Sequence, residues 1–468
     1  MHSEDARKCV HIGSGFFALL LRALTPWQAS ALAAFALVFN TVALPRIGGR
    51  WLYRPIDEAR GYPLGILFYP LAVLLLTMIF PSRPDITASA WGILAFGDGA
   101  ATLVGRWASR SLSGSDENAE RKSRSPISAR SAVERARGPL PWRPDKSVAG
   151  TLGFIVFGGL GGVALALWTR PAVVPPPPAL YAIAATLAAA VVAAFVETLP
   201  VRLDDNLSVP AAAAATLWIA SLMDWATFEA ARPALIASLP WALGVNALAS
   251  WLGYRAGTVS RSGAIAGAIV GLVVYCGGGG RAWAFLFATF LAATIASRLG
   301  LKRKALLGIA EARGGRRGAG NAIANCGVAA AAAVAAVTTP HAQAALLALA
   351  AALAAGGSDT VASEIGKAWG RSTFLVTTFG RAKPGTPGAM SVEGTAAGLL
   401  AAFGLAALAI ALGLIPASAL VAVVVAATGG ALAESVLAAT LEGPGILNND
   451  VLNFINTGVA AVVALVLA

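Results

Sequence analysis

The sequence predicts an all-α, polytopic membrane protein of about 13–16 transmembrane helices in two related halves of parallel orientation. Three observations predict it. Of the 468 residues, 57% are hydrophobic and 12% charged, about half the charge of an ordinary soluble chain. Apolar runs recur from end to end, most near the length of about 20 residues that a helix needs to cross a bilayer. Four polar motifs then recur in the same order in each half, the mark of an internal repeat.

The candidate spans, in order, are 13–24, 27–44, 63–80, 86–104, 147–168, 180–199, 207–223, 235–252, 263–276, 282–299, 320–338, 342–356, 393–413, 416–434 and 451–467. Only helices and closed barrels satisfy the backbone in lipid, and the short apolar–polar alternation of barrel strands is absent. The polar first ten residues and the lack of a small-residue cleavage site argue against a cleavable signal peptide. Cys9, Cys276 and Cys326 are too scattered for a disulfide framework or a metal cluster, and three histidines are too few for a histidine-built metal site.

A net charge of +12 raises nucleic acid as a partner, but the placement of the charge argues against it. With the N-terminus in the cytoplasm, every Lys and Arg except Arg22, Arg83, Arg170, Arg232 and Arg281 falls on the inner side or at an inner span end. This is the positive-inside bias of a multi-pass protein, and it puts the motif loops on the cytoplasmic face. Residues 111–142, rich in Ser and Arg, read as a disordered cytoplasmic insert. Residues 224–234 read as a linker between membrane domains at 1–223 and 235–468.

The repeat carries the candidate chemistry. Asp98 is followed by Gly105 and Arg106, as Asp359 is followed by Gly366 and Lys367. Ser147, Gly150 and Thr151 open one span, and Ser391, Gly394 and Thr395 open another. Glu197 ends a span, as does Glu434. Asp204-Asp205-Asn206 precedes a span, as does Asn448-Asn449-Asp450. Carboxylates in or beside apolar helices are expensive, about 2.5–3.5 kcal/mol at mid-bilayer, and so mark function. A transporter would use them to bind ions, and a phosphoryl-transfer enzyme would use them to hold Mg2+ through oxygen ligands. Asp98 and Asp359 are flanked by glycines that admit a neighbouring backbone or phosphate, each read here at a span end. Lys146 beside Ser147 pairs a cation with a helix N-terminus, an arrangement suited to phosphate, although serine is also an ordinary N-cap. Arg316, Arg317, Asn321 and Asn325 approach the eleventh span, and Glu364 shares a segment with Asp359. No Walker A loop, dinucleotide fingerprint or nucleophile elbow is present.

Residues about 4–223 resemble the phytol kinase and dolichol kinase family. The resemblance rests on Arg7-Lys8 with His11, on Ala95 to Ala100 with Gly105-Arg106, on Lys146-Ser147 with Gly150-Thr151, and on Glu197-Thr198-Leu199 with Asp204 to Leu207 and Pro210. Residues about 235–468 resemble a second family, which includes plant phytyl-phosphate kinase and transmembrane protein 19. There the signs are Ser262-Gly263-Ala264, Arg316-Arg317, Asn325, Asp359-Thr360 with Ser363 to Gly366, Gly385 to Gly388, Ser391 with Gly394-Thr395, Glu434-Ser435, and Asn448-Asn449 with Asn453-Phe454. Asn321 and Val361 depart from that family's usual Gln and Trp.

The resemblances imply an enzyme that phosphorylates an isoprenoid alcohol to its monophosphate and then to its diphosphate, with CTP as donor and Mg2+ or Mn2+ as cofactor. In the first half they imply Asp98, Glu197, Asp204 and Asp205 as the metal-binding or hydroxyl-activating set, with Arg106, Lys146, Ser147, Gly150 and Thr151 on phosphate. In the second they imply Asp359, Glu364 and Glu434 as catalytic carboxylates. Arg316, Arg317, Lys367, Ser391, Gly394, Thr395, Asn448 and Asn449 would bind phosphate. Asp98, Asp205, Asp359 and Asp450 are the metal candidates. A lipid-phosphate cytidylyltransferase and a secondary transporter built on parallel repeats are the rival readings.

Overall fold

The computed structural model describes residues 4–47, 64–120, 139–140, 143–198, 204–309, 315–443 and 447–468. The chain divides into two compact units, Met1–Ser221 and Leu222–Ala468. It is an all-α, multi-pass integral membrane protein. Among the described residues, nine helices are long and apolar enough to cross a bilayer, and two short hairpins supply the only sheet.

Unit 1 begins with α1 (Glu4–Gly15), which tightens into a 3-10 segment at Phe16–Arg22. Thr25 and Gln28 then cap α2 (Pro26–Val38) reciprocally, with proline at its first position. Helices α3 (Leu64–Ile79) and α4 (Pro84–Glu120) follow. Strands β1 (Pro139–Leu140) and β2 (Arg143–Ser147) pair antiparallel and lead into α5 (Val148–Thr169). Helices α6 (Ala179–Thr198) and α7 (Asp205–Ser221) complete the unit. Its core is built from small residues such as Ala189, Ala190, Ala193 and Ala213, all fully buried. In lipid no hydrophobic force drives helices together, and small side chains let them approach closely instead.

Unit 2 begins with α8 (Trp225–Arg255), capped by Asp224, whose carboxylate accepts from the Thr227 N–H at 2.8 Å. Next come α9 (Arg261–Arg298), the short α10 (Leu301–Leu306), α11 (Ala319–Thr338) and α12 (Ala342–Trp369). Strands β3 (Thr373–Leu375) and β4 (Ala389–Ser391) form the second hairpin and lead into α13 (Val392–Ala411). Helices α14 (Leu420–Leu437) and α15 (Asn449–Leu467) close the unit. Helix α12 runs through its centre: Leu349 to Ala355 are all buried, and the same helix then carries Asp359, Glu364 and Lys367.

Three expectations change, while the ninth and tenth spans stand as separate arms of one element. The linker read at 224–234 is the cap and first turns of α8, which continues past both Pro233 and Pro240. The ninth and tenth spans are the two arms of α9. They meet at Gly279, whose φ of 72° reverses the chain so that Trp283 lies against Gly271. Asp98 does not end a helix. It lies inside α4, which continues through Gly105 to Glu120, ten residues into the segment read as disordered. Asp359 likewise lies inside α12. The neighbouring glycines admit side chains of facing helices: Gly97 receives the Phe154 ring, and Gly357 receives Thr289 and Leu405. Pro139–Leu140 of the insert is a strand, while residues 121–138 and 141–142 lie outside the described residues.

Candidate active sites

In unit 1 two charged clusters flank the α4–α5 interface. In the first, Lys8 on α1 places its Nζ 2.6 Å from Asp98 Oδ2, and His11 Nε2 stands 3.5 Å from the same oxygen. The His11 ring meets Tyr69 edge-on at 4.7 Å, and the Tyr69 hydroxyl accepts from Trp91 Nε1 at 2.7 Å. In the second, Lys146 at the end of β2 bonds to Glu197 on α6 and to Asp205 on α7, the latter at 3.2 Å. Burial disfavours the Lys146 charge, but the Asp205 and Glu197 carboxylates outweigh it and hold the ammonium above its ordinary pKa. Arg143 Nη1 donates to the Glu197 carbonyl at 2.8 Å. The clusters are separate sets of contacts within electrostatic reach of each other.

Ser147 caps α5 by accepting from the Gly150 N–H at 3.1 Å, and Thr151 Oγ1 donates back to the Ser147 carbonyl at 3.2 Å. A side chain at Gly105 would stand 3.2 Å from the Ser147 hydroxyl, so glycine there lets α4 pass directly over the cap. Arg106 follows, half-buried. Asp204 Oδ1 accepts from the Asn206 N–H and side-chain amide at 2.9 and 2.7 Å, an Asx-type start to α7.

Unit 2 repeats the cap. Ser391 accepts from the Gly394 N–H at 3.0 Å and packs over Gly366, where a side chain would stand 2.9 Å from its hydroxyl. Beside it, Glu364 is bonded by two lysines. Lys304 reaches in from α10 and also donates to the Ser297 carbonyl at 2.7 Å, while Lys367 lies 2.8 Å away on the same helix. Lys304 and Glu364 are 1% exposed and Lys367 is 27% exposed. The Asp359 and Glu434 carboxyls lie beside each other, and Asn456 Nδ2 donates to Glu434 Oε2 at 3.1 Å. Asp450 seats its carboxylate against Gly320 of α11.

Thus the predicted residues Lys146, Glu197 and Asp205 meet, as do Asp359 with Glu434 and Glu364 with Lys367. Asp98 makes its direct contacts to Lys8 and His11 instead. Arg317 donates to Ser297 Oγ at 3.3 Å and lies over the Phe290 ring, and Arg316 lies against Gly257. Asn448 is the N-cap of α15, accepting from the Val451 N–H at 3.0 Å, whereas Asn449 and Thr395 are exposed. Among the described residues no three His, Cys, Asp or Glu side chains converge as a metal site. Sequence reasoning missed Lys304 and Asn456. Lys304 sits in the basic run Lys302-Arg303-Lys304, which resembles membrane anchoring. Asn456 is a fully buried amide in an apolar helix, a signal of the kind that singled out Asn325.

Each unit also holds a cavity. That of unit 1, about 680 Å³, is walled mainly by apolar residues of α1, α2 and α3, with His11, Ser14, Asn40, Tyr69 and Asn206 among its polar groups. That of unit 2, about 140 Å³, is lined by α8, both arms of α9, α11 and α12 and carries Arg317, Asn321 and Asn325.

Residues 244–461 match the family described as integral membrane protein DUF92. The chain is similar to protein VTE6, chloroplastic, of Arabidopsis thaliana, with 36% identity over 216 residues, 45% of this chain and 65% of that protein. The match therefore spans just under two thirds of the plant protein. It is 38% identical over 200 residues to the uncharacterized membrane protein sll0875 of Synechocystis, covering 42% of this chain and 78% of the relative. It is 35% identical over 117 residues to the uncharacterized membrane protein MJ0933 of Methanocaldococcus jannaschii, covering 24% and 48%. No solved structure matches.

Proposed function

Because this chain belongs to the integral membrane family DUF92, we propose that unit 2 is a membrane phosphotransferase acting on a prenyl monophosphate, and that unit 1 makes that monophosphate from the alcohol. The observation that carries this reading is the contrast between the two cavities. In unit 1 a mainly apolar cavity carries His11, Ser14 and Tyr69, groups suited to a hydroxyl, with Asn40 and Asn206 and, among the described residues, no arginine or lysine on its wall. In unit 2 the cavity carries Arg317 with Asn321 and Asn325, donors suited to a phosphate monoester. The residue resemblances to phytol kinase and phytyl-phosphate kinase point the same way.

In this reading the prenyl tail lies in the unit 1 cavity with its oxygen near Asp98. That oxygen attacks the terminal phosphorus of a nucleoside triphosphate, CTP by the family resemblance. The bond from phosphorus to the bridging oxygen breaks, the nucleoside diphosphate leaves, and the hydroxyl proton passes to the Asp98 carboxylate. Lys8 fixes Asp98. Lys146, oriented by Glu197 and Asp205, stands with Arg106 at the Ser147 helix start to hold the nucleotide phosphates. Unit 2 repeats the arrangement with Lys367 oriented by Glu364 beside the Ser391 helix start. Mg2+ or Mn2+ brought with the nucleotide would neutralise phosphate charge. Asp205, 26% exposed against 2% for Glu197, is the carboxylate open to it in unit 1. The Asp359–Glu434 pair fits it in unit 2, because two carboxyls in contact need a proton or a cation between them. These loops face the cytoplasm, where the nucleotide is.

The test uses membranes containing the full chain, labelled CTP, ATP or UTP, and either a prenyl alcohol or its monophosphate, with products resolved by mass. Stepwise gain of one and then two phosphoryl groups is expected. Gain of a nucleoside monophosphate would establish a cytidylyltransferase instead, and no product from either substrate would leave transport as the better account.

A further inference from the structure

Inside the unit 2 cavity, Gly263, Gly267 and Gly271 recur every four residues and so share one face of the first arm of α9. Packing explains the first and third. A side chain at Gly263 would collide with the Arg317 carbonyl, and one at Gly271 would collide with the Asn246 side chain. Gly267 is different: a side chain there meets nothing within 4 Å. Neither close packing nor its own backbone requires a glycine at that position, since no positive φ is found there.

The surrounding cavity gives the position a direction. The Arg317 end lies beside Gly263. The other end lies beside Gly271 and Asn246, whose side chain accepts from Trp283 Nε1 at 2.9 Å. Trp283 stacks on Phe287 with centroids 5.2 Å apart, so an apolar wall runs from there towards Phe290, beneath Arg317. Gly267 stands midway, about one helical turn (~6 Å) from either end.

We propose that Gly267 is the residue that sets tail length in the second site: it leaves open the passage by which an isoprenoid tail leaves the phosphate held at Arg317. This rests on the reading of unit 2 as a prenyl-phosphate kinase. The shortest prenyl phosphates end near the level of Gly267, and longer ones must pass it. A larger side chain at 267 enters space that no protein atom occupies, so it competes with the tail and not with the fold.

The experiment assays the full chain in lipid vesicles on prenyl monophosphates of five, ten, fifteen and twenty carbons. It compares wild type with Gly267→Leu, Gly267→Ala and, as control, Gly404→Leu, another open glycine of unit 2 that does not line this cavity. Gly267→Leu is expected to raise KM for the longest substrates by about tenfold or more and to leave the shortest turned-over substrate unchanged. Gly267→Ala should shift the same lengths by less, and Gly404→Leu should shift none. Should the leucine variant fail to insert, the alanine series decides by the same criterion. An equal change at every length, or none, overturns the proposal. A wild-type chain that phosphorylates no prenyl monophosphate overturns the reading of unit 2, and this inference with it.

Discussion

Lys8 Nζ lies 2.6 Å from Asp98 Oδ2, joining α1 to the middle of α4 across ninety residues of sequence. Both side chains are largely buried, so each charge depends on the other. Removing one partner of such a pair leaves an uncompensated charge and costs about 3–5 kcal/mol. Lys8→Met is therefore expected to lower the unfolding temperature of the protein in detergent. The double variant Lys8→Met with Asp98→Asn should recover most of that loss without recovering alcohol phosphorylation. A Lys8→Met protein as stable as wild type would show that the contact is not the one holding α1 in place.

Lys304 and Lys367 share one carboxylate but differ in burial, and their substitutions should differ accordingly. Lys304→Met strands the buried Glu364 beside a single, more exposed lysine and should destabilise the protein markedly. Lys367→Met leaves the buried Lys304–Glu364 pair intact, so Glu364 keeps a charged partner and stability should fall less than in Lys304→Met. Its effect should fall on unit 2 turnover instead. Thermal unfolding and prenyl-phosphate phosphorylation, measured on the same preparations, separate the two. Equal stability losses would contradict the assignment of Lys304 as the structural member.

Lys146 gives a pH signature. Its folded-state pKa is raised because the Asp205 and Glu197 carboxylates outweigh the penalty of burial. A raised lysine contributes stability that is fully present below the unfolded value, about 10.4, and is lost as pH rises through the higher folded value. The difference in unfolding temperature between wild type and Lys146→Met should therefore stay constant from neutral pH to about 10 and shrink above that. A difference that shrinks between pH 6 and 8 would point to another group.

These residues also mark what was legible in the sequence. The Ser147 and Ser391 caps could be read because an N-cap is local chemistry: a hydroxyl, a small residue three positions on, and an apolar run. The meeting of Lys146 with Glu197 and Asp205 could be expected from the motifs, but repeated order does not carry it across: in unit 2 Glu434 meets Asp359 and Asn456 instead of a lysine. Gly97 and Gly357 could be read as admitting a close neighbour, but glycine also breaks helices, and only the facing Phe154 or Leu405 decides between the two. Lys304 was hidden for a different reason. Its neighbours Lys302 and Arg303 are exposed and Lys304 is buried, a difference created by the turn at Gly300, with φ of 65°, and not by the residue types.

The two units should fail independently. Asp98 is engaged by Lys8 and His11 within unit 1, and Asp359 by Glu434 within unit 2, so each carboxyl belongs to a separate set of contacts. Asn is close in size to Asp and still hydrogen-bonds, but it cannot accept the hydroxyl proton or balance a cation. Asp98→Asn should abolish phosphorylation of the free alcohol, by about a hundredfold or more, yet still extend a supplied monophosphate. Asp359→Asn should do the reverse and accumulate monophosphate from the alcohol. Membrane insertion, checked by detergent extraction and gel filtration, should be normal for Asp359→Asn. Asp98→Asn leaves Lys8 with a weaker partner, so its assay is best read beside the Lys8→Met/Asp98→Asn double variant, which removes both charges. If either single variant lost both activities while inserting normally, one shared site would replace two, and the contrast between the hydroxyl-lined and arginine-lined cavities would need another explanation.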